Sequence, residues 1–454
     1  MTNLLRDRDI ATHLHPQTNF RRHEELGPLI IRQGDGVRVQ DTDGRWYIEG
    51  VSGLWCASLG FSNRRLADAA HRQLLTMPYQ QTFAHRSTPP VIELATRLIE
   101  KAPSPMSKVI FQASGSQAVD TAIKLSWYYH AARGNERRRK ILSRQGSYHG
   151  STIASASLTG LPNMHRGFGL PMDSFVHVSR PHHWRGGVAG ESERDFATRL
   201  VAEIEATIER ESADTIAAFF AEPVMGTGGV VVPPDGYFEL LQPVLARHDI
   251  LLVADEVICG FGRTGNYWGS QTVGMKPDML TCAKGLSASY FPISALMVSD
   301  RIYQVLADRT AEFGGFGHGY TYGGHPVGAA VALETLAIYD EIDIVGLVRA
   351  RQGQLQDGLR RFADHPLVGE VRGVGLMGAL EFVADKAGRT PFEKPGTLGG
   401  RIAADLQAQG VLLRALGDTL VVAPPLVIGE DELEEVLDAL ESTLGRIAEP
   451  EQAQ

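Results

Sequence analysis

The chain has 454 residues, 43% of them hydrophobic and 21% charged, an ordinary globular composition with length for two or three domains. Its formal net charge of −9 argues against a general nucleic-acid binder, and no apolar run is long enough to span a membrane. Three scattered cysteines, Cys56, Cys259 and Cys282, make neither a disulfide framework nor a zinc set and point to a reducing, cytoplasmic setting.

In chain order, the opening MTNLLRDRDIATHLHPQTNF lacks a basic segment followed by an apolar core, so no secretory signal is expected. KVIFQA (108–113) predicts a strand, and the amphipathic pattern over 116–132 predicts the helix after it. Arg137, Arg138, Arg139 and Lys140 read as a solvated loop before a further strand. His177, His182 and His183 in HVSRPHHWR read as loop histidines, because no helical pair or compact ligand set accompanies them, and no metal is expected. TIAAFFA (215–221), ILLVA (250–254), MLTCA (279–283) and ISALMV (293–298) predict strands, with a helix over 235–248. Towards the end, 368–383 and 420–426 read as strands and 433–440 as a helix covering them. Continuous apolar strands alternating with helices predict an α/β fold, a mostly parallel sheet covered on both faces.

In such sheets ligands bind beyond the carboxyl ends of the strands. Ser114-Gly115-Ser116 follows the first run and opens a helix, Glu222 follows the second, Asp255-Glu256 the third and Lys284 the fourth. A helix opening with glycine and serine offers N–H groups and hydroxyls to a phosphate. Lys284 has only small or apolar neighbours, although lysine is rarely withdrawn from water without a partner. A phosphate cradle, a carboxylate and such a lysine are what pyridoxal phosphate needs: the amine forms a Schiff base with its aldehyde, and Asp255 keeps the pyridine nitrogen protonated.

Rival patterns are weaker. GFGRTG (260–265) matches the dinucleotide-binding spacing, but Asp255 and Glu256 intervene and loop-like residues follow. LLVADE resembles the Walker B strand of a P-loop NTPase, yet the chain has no phosphate-loop motif GxxxxGK[ST]. A non-enzymatic binding protein would need neither Lys284 nor Asp255 at the strand ends.

VADEVICGFGRTG (253–265) followed by PDMLTCAKGLS (277–287) resembles the signature of class III pyridoxal-phosphate-dependent aminotransferases. SGLWC (52–56), SGSQAVDTAIK (114–124), SYHG (147–150), AEPVMGTGGV (221–230) and GYTYGGHPVG (319–328) extend the likeness through nearly the whole chain, and AEPVMGTGG, HGYTYGGHP and the late LLRALGD resemble the ω-amine:pyruvate transaminases. The resemblance implies a fold-type I protein. Residues 75–330 would form a large cofactor domain, and 1–74 with 331–454 a smaller α/β domain. It implies that Lys284 is the Schiff-base lysine and the proton-moving base, and that Asp255 pairs with the pyridine nitrogen. Tyr148 would stack on the ring, Val257 would pack on its other face, and Glu222 would support the cofactor hydroxyl side. Gly115 and Ser116 would hold the phosphate, with Thr321 reaching it from the neighbouring subunit of a homodimer. Trp55 and Phe83 would wall the substrate pocket, and Arg414 would bind a substrate carboxylate or swing aside.

The implied reaction is a ping-pong transfer from a primary amine or ω-amino acid to an oxo acid, with pyruvate the expected acceptor. A decarboxylase or aminomutase on the same fold is the alternative. Three positions depart from the family's habit: Gln117 and Val119 in the phosphate loop, and Thr227, which would narrow a small side pocket.

Overall fold

The computed structural model describes residues 2–447. Fifteen strands fall in three groups along the chain. The first holds β1 (Ile31–Asp35), β2 (Arg38–Asp41) and β3 (Trp46–Glu49). The second holds β4 (Lys108–Gln112), β5 (Lys140–Arg144), β6 (Phe175–Val178), β7 (Ile216–Ala221), β8 (Leu251–Asp255), β9 (Met279–Cys282) and β10 (Ser294–Val298). The third holds β11 (Val368–Val374), β12 (Met377–Phe382), β13 (Val411–Leu412), β14 (Arg414–Leu416) and β15 (Thr419–Val422).

The second group forms a seven-stranded sheet in the order β4-β10-β9-β8-β7-β5-β6. The run from β9 to β6 is parallel, and β10 is antiparallel to both its neighbours. Consequently β4, β9, β8 and β7 all end at the same edge. Every residue of β7, β8, β9 and β10 is buried, as their unbroken apolar runs require when both faces are covered. Alternate residues divide between the faces. Phe220, Val253 and Leu296 meet Val119 and Ile123 of the helix Gly115–Ala132, while Phe219, Leu252 and Met297 join a core shared with Phe196 and Leu241. Val119, one of the departures from the family pattern, is therefore a packing residue.

Two smaller sheets complete the fold, ordered β1-β2-β3-β13 and β11-β12-β15-β14. β13 pairs in parallel with β3, Val411 opposite Ile48, so the late part of the chain returns to the early part. Among the described residues no helix is long and apolar enough to cross a membrane.

Two local expectations need correction. His177 is not in a loop: it lies in the edge strand β6, where its Nε2 is 3.1 Å from the carbonyl of Leu158. The basic cluster is not simply solvated, because Arg138 donates to the carbonyls of Ile216 (2.7 Å), His248 (3.0 Å) and Asp249 (3.1 Å). An arginine fork beside the unpaired carbonyls of a sheet end satisfies them better than water reaching a half-buried loop. GFGRTG opens no helix. It folds as turns, with Gly262 and Gly265 in the left-handed region and Arg263 buried, bonding to the carbonyls of Leu376 and Pro424.

Candidate active site

The strand register assembles the site. Asp255 ends β8 opposite Thr281 of β9, three residues before Lys284. Ala221 of β7 lies opposite Ala254, placing Glu222 on the far side of Asp255. Gln112 of β4 pairs with Ser294 of β10, and Ala295 pairs with Cys282, which brings Ser114 and Gly115 to the same edge.

Asp255 is only 4% exposed. One carboxylate oxygen accepts from the amide of Val257 (3.1 Å), and the other lies 2.7 Å from His149 Nδ1. The His149 ring is fully buried and its Nε2 has no partner. A carboxylate oriented so tightly, in so dry a place, is suited to hold a proton on a ligand nitrogen.

Lys284 sits in the left-handed region at φ 49°, in a short turn just past β9. Burial drives its ammonium below the usual lysine value, against the nearby Cys56, Asp255 and Glu222, which favour the charged form. The result is an amine with a raised share of free base.

Glu222 is buried and organises two loops. Its carboxylate accepts from the amide of Tyr148 (3.1 Å) and from that of Gly226 (3.0 Å), and burial raises its pKa. Arg144, buried beneath, donates to the Glu222 carbonyl at 2.6 Å. Tyr148 is half-buried, its phenol raised by burial and eased back by the charge of Arg414. Arg414 is half-buried and its guanidinium is lowered by the same loss of water. No carboxylate pairs with it among the described residues.

The helix Gly115–Ala132 presents its N-terminus to this edge. Ser114 accepts from the amide of Gln117 (3.3 Å), and the Gln117 side chain accepts from the amide of Ala113 (3.0 Å). Gln117 thus satisfies the amide just before the helix cap. Ser116 Oγ accepts from the amide of Ser151, and a Cβ on Gly150 would lie 2.4 Å from that oxygen. A Cβ on Gly115 would stand 3.1 Å from Val257, so helix start and strand end touch.

Trp55 and Phe83, expected at the substrate pocket, and Thr321, expected to reach the phosphate from a neighbouring subunit, lie as follows. Trp55 is 3% exposed and packs with Val224, Ile258 and Val421, its indole N–H without a partner. Phe83 is 48% exposed, its ring against Gly319. Thr321 is exposed on the same patch, its carbonyl accepting from Tyr79 Oη at 2.7 Å. Neither of the latter two touches Lys284 in its own chain. His149, Arg144 and Cys56 were not singled out from sequence. His149 had one signal, its place within SYHG.

This donor set fits pyridoxal phosphate, since a helix N-terminus, a dry carboxylate and a buried lysine amine share one strand edge. The aminotransferase class-III family model matches residues 20–444. The chain belongs to the class III aminotransferases. It is 44% identical over 441 residues to gamma aminobutyrate transaminase 1, mitochondrial, of Solanum lycopersicum, covering 96% of this chain and 86% of that protein. The omega transaminase from Pseudomonas jessenii in complex with PMP superposes with a TM-score of 0.96 at 49% identity, covering 97% and 98% of the two chains. A transaminase solved with L-Ala is 54% identical, with a TM-score of 0.91 over 92% and 99%. Thermostable omega transaminase PjTA-R6, engineered for asymmetric synthesis of enantiopure bulky amines in a variant changed at one Trp, one Phe and one Arg, matches at 48% identity and a TM-score of 0.96 over 97% and 98%. As a class III aminotransferase, the protein is a pyridoxal-phosphate-dependent transaminase with mixed α/β architecture of fold-type I.

Proposed function

We propose that this class III aminotransferase takes its amino group from primary amines or ω-amino acids and delivers it to pyruvate, as a homodimer with shared sites. The observation that carries the donor class is Arg414, a charged side chain at the site with no carboxylate partner among the described residues. A flexible, unpaired guanidinium can engage a carboxylate when a ligand brings one and stand aside when it does not. The Trp, Phe and Arg changed together in PjTA-R6 are spaced as Trp55, Phe83 and Arg414 are here, 28 and 331 positions apart. That match supports all three as pocket residues. The relative solved with L-Ala supports pyruvate, the oxo acid of alanine.

When bound, pyridoxal phosphate supplies a carbonyl that accepts amino groups and a ring that accepts electrons. The first amides of the helix Gly115–Ala132 and the Ser116 hydroxyl would anchor its phosphate. Asp255, held by His149, would keep a proton on the ring nitrogen. The Lys284 amine would hold and move the donor carbon's proton, and its lowered pKa raises the share of free base able to do so. Tyr148 and Val257 would enclose the ring, and Glu222 would fix the Tyr148 loop. Since Thr321 and Phe83 are exposed together, the reading assigns both to the partner's site.

The division into a large domain over 75–330 and a smaller one from 1–74 and 331–454 belongs to this proposal, supported by the pairing of β13 with β3. So does a cytoplasmic location, which rests on three free cysteines.

The test is spectroscopic. Adding a primary amine without a carboxylate to the loaded enzyme should bleach the cofactor band, and pyruvate should restore it. A band answering only to α-amino acids would overturn the donor class, and one restored only by another oxo acid would overturn the acceptor. Sedimentation of a monomer would overturn the shared site.

A further inference from the structure

The helices Thr2–Thr12 and Phe20–Leu26 and the segment between them bring Asp9, His13, His15 and His23 together. Asp9 is the centre. His13, one helical turn on, places Nδ1 3.3 Å from Asp9 Oδ1. His15 and His23 both aim Nε2 at Oδ2, at 2.8 and 3.2 Å. The rings stack successively, His13 on His15 and His15 on His23, each pair with centroids 4.2 Å apart. The ligating atoms of Asp9, His15 and His23 all lie within 4.8 Å of one another.

We propose that Asp9, His13, His15 and His23 form a binding site for a divalent transition-metal ion, zinc by donor chemistry. Three imidazoles and a carboxylate are a tetrahedral nitrogen-rich set of the kind zinc takes, whereas magnesium and calcium prefer oxygen. With metal–ligand bonds of about 2.0–2.1 Å, the edges of such a tetrahedron are about 3.3 Å. The two imidazoles aimed at Oδ2 already lie 2.8 and 3.2 Å from it, near that length, while His13 stands 3.3 Å from the other oxygen, Oδ1. His13 is the most exposed of the four, so it can turn to the fourth vertex without disturbing the core.

All four positions being protein donors, the site is structural. It clamps the two N-terminal helices, which otherwise share the bond from Arg6 Nη2 to the Glu25 carbonyl (3.0 Å). The other histidine–carboxylate cluster, His182 with Glu370 and Glu381, does not qualify. There Arg372 pairs with both carboxylates and supplies the positive charge itself.

The test uses the full-length, cofactor-loaded enzyme. Zinc titration should show one tight site per chain, and cobalt in its place should give the intense visible bands of tetrahedral coordination. His15→Ala and Asp9→Asn should each weaken zinc binding by about 10- to 100-fold or more and abolish those bands, with cofactor content and transamination unchanged. His13→Ala, on an exposed side chain, should do the same in part and guards against misfolding of the other two. Equal zinc binding in wild type and the three variants, or no saturable binding to wild type, overturns the proposal. So does cobalt bound without tetrahedral bands.

Discussion

Lys284 and Asp255 divide the chemistry between an amine that must shed its proton and a carboxylate that must keep its charge. Lys284→Ala should lower turnover by at least about 10²–10⁴-fold, the usual share of a positioned base, and normal activity would exclude Lys284 from the reaction. Asp255→Asn should retain bound cofactor, read from absorbance, while turnover collapses, because the amide cannot stabilise the ring proton. Turnover near the wild-type rate would remove the electron-sink role. A third buried group tests linkage. Glu256 accepts from the amides of Gly269 (2.8 Å) and Ser270 (2.6 Å), and burial still raises its pKa to about 7 from 4.5. A raised carboxyl stabilises the fold below its unfolded value and loses that contribution as pH climbs through the folded one. Relative to Glu256→Gln, wild type should therefore lose about 3 kcal/mol between pH 4.5 and a little above 7, visible as its Tm falling relative to the variant's. A flat difference would contradict the burial argument.

At the scale of elements, the phosphate cradle depends on how closely the SYHG turn approaches the helix Gly115–Ala132. Gly150 has φ 137° and leaves no room for a Cβ beside Ser116 Oγ and Ser155 Oγ. Gly150→Ala should push the Ser151 amide off Ser116 and weaken cofactor binding by about tenfold or more, the worth of one or two hydrogen bonds. Equilibrium dialysis of the cofactor measures it, and unchanged affinity would detach this turn from the cradle. The strands carrying Glu222, Asp255 and Lys284 were legible because each is a continuous apolar run with a polar residue just beyond it. β6 was not. FVHV is an edge strand of four residues with one polar side chain, and its extension depends on pairing with β5 rather than on its own pattern.

Across the molecule, a buried charge network joins the seven-stranded sheet's loops to the C-terminal sheet. Arg372 of β11 pairs with Glu370 and with Glu381 (2.6 Å), and its Nε donates to the Gly229 carbonyl at 2.7 Å. Arg180 donates to the neighbouring Gly228 carbonyl, and His182 Nε2 lies 2.7 Å from Glu370. Glu222 holds the other end of this same loop through Gly226, so the network reaches the catalytic edge. Arg372→Leu should leave Glu370 with His182 and Glu381 with Arg185 alone and cost about 1.5–3 kcal/mol, read as a lowered unfolding midpoint together with reduced turnover. Unchanged stability would mean the carboxylates find other partners.

What the amino-acid sequence determined by itself was the run of apolar strands β4, β7, β8, β9 and β10, the helices between them and the reactive residues at their ends. Those are local properties, written in hydrophobic period and in the residue that breaks it. Only the tertiary structure decided who holds those residues: His149 steadies Asp255 from 106 positions away, Arg144 carries Glu222 from 78, and the Asp9 carboxylate gathers His23 from 14. A histidine or arginine carries no mark of its distant partner in its neighbours. Its role appears when burial removes water and the nearest complementary group must replace it.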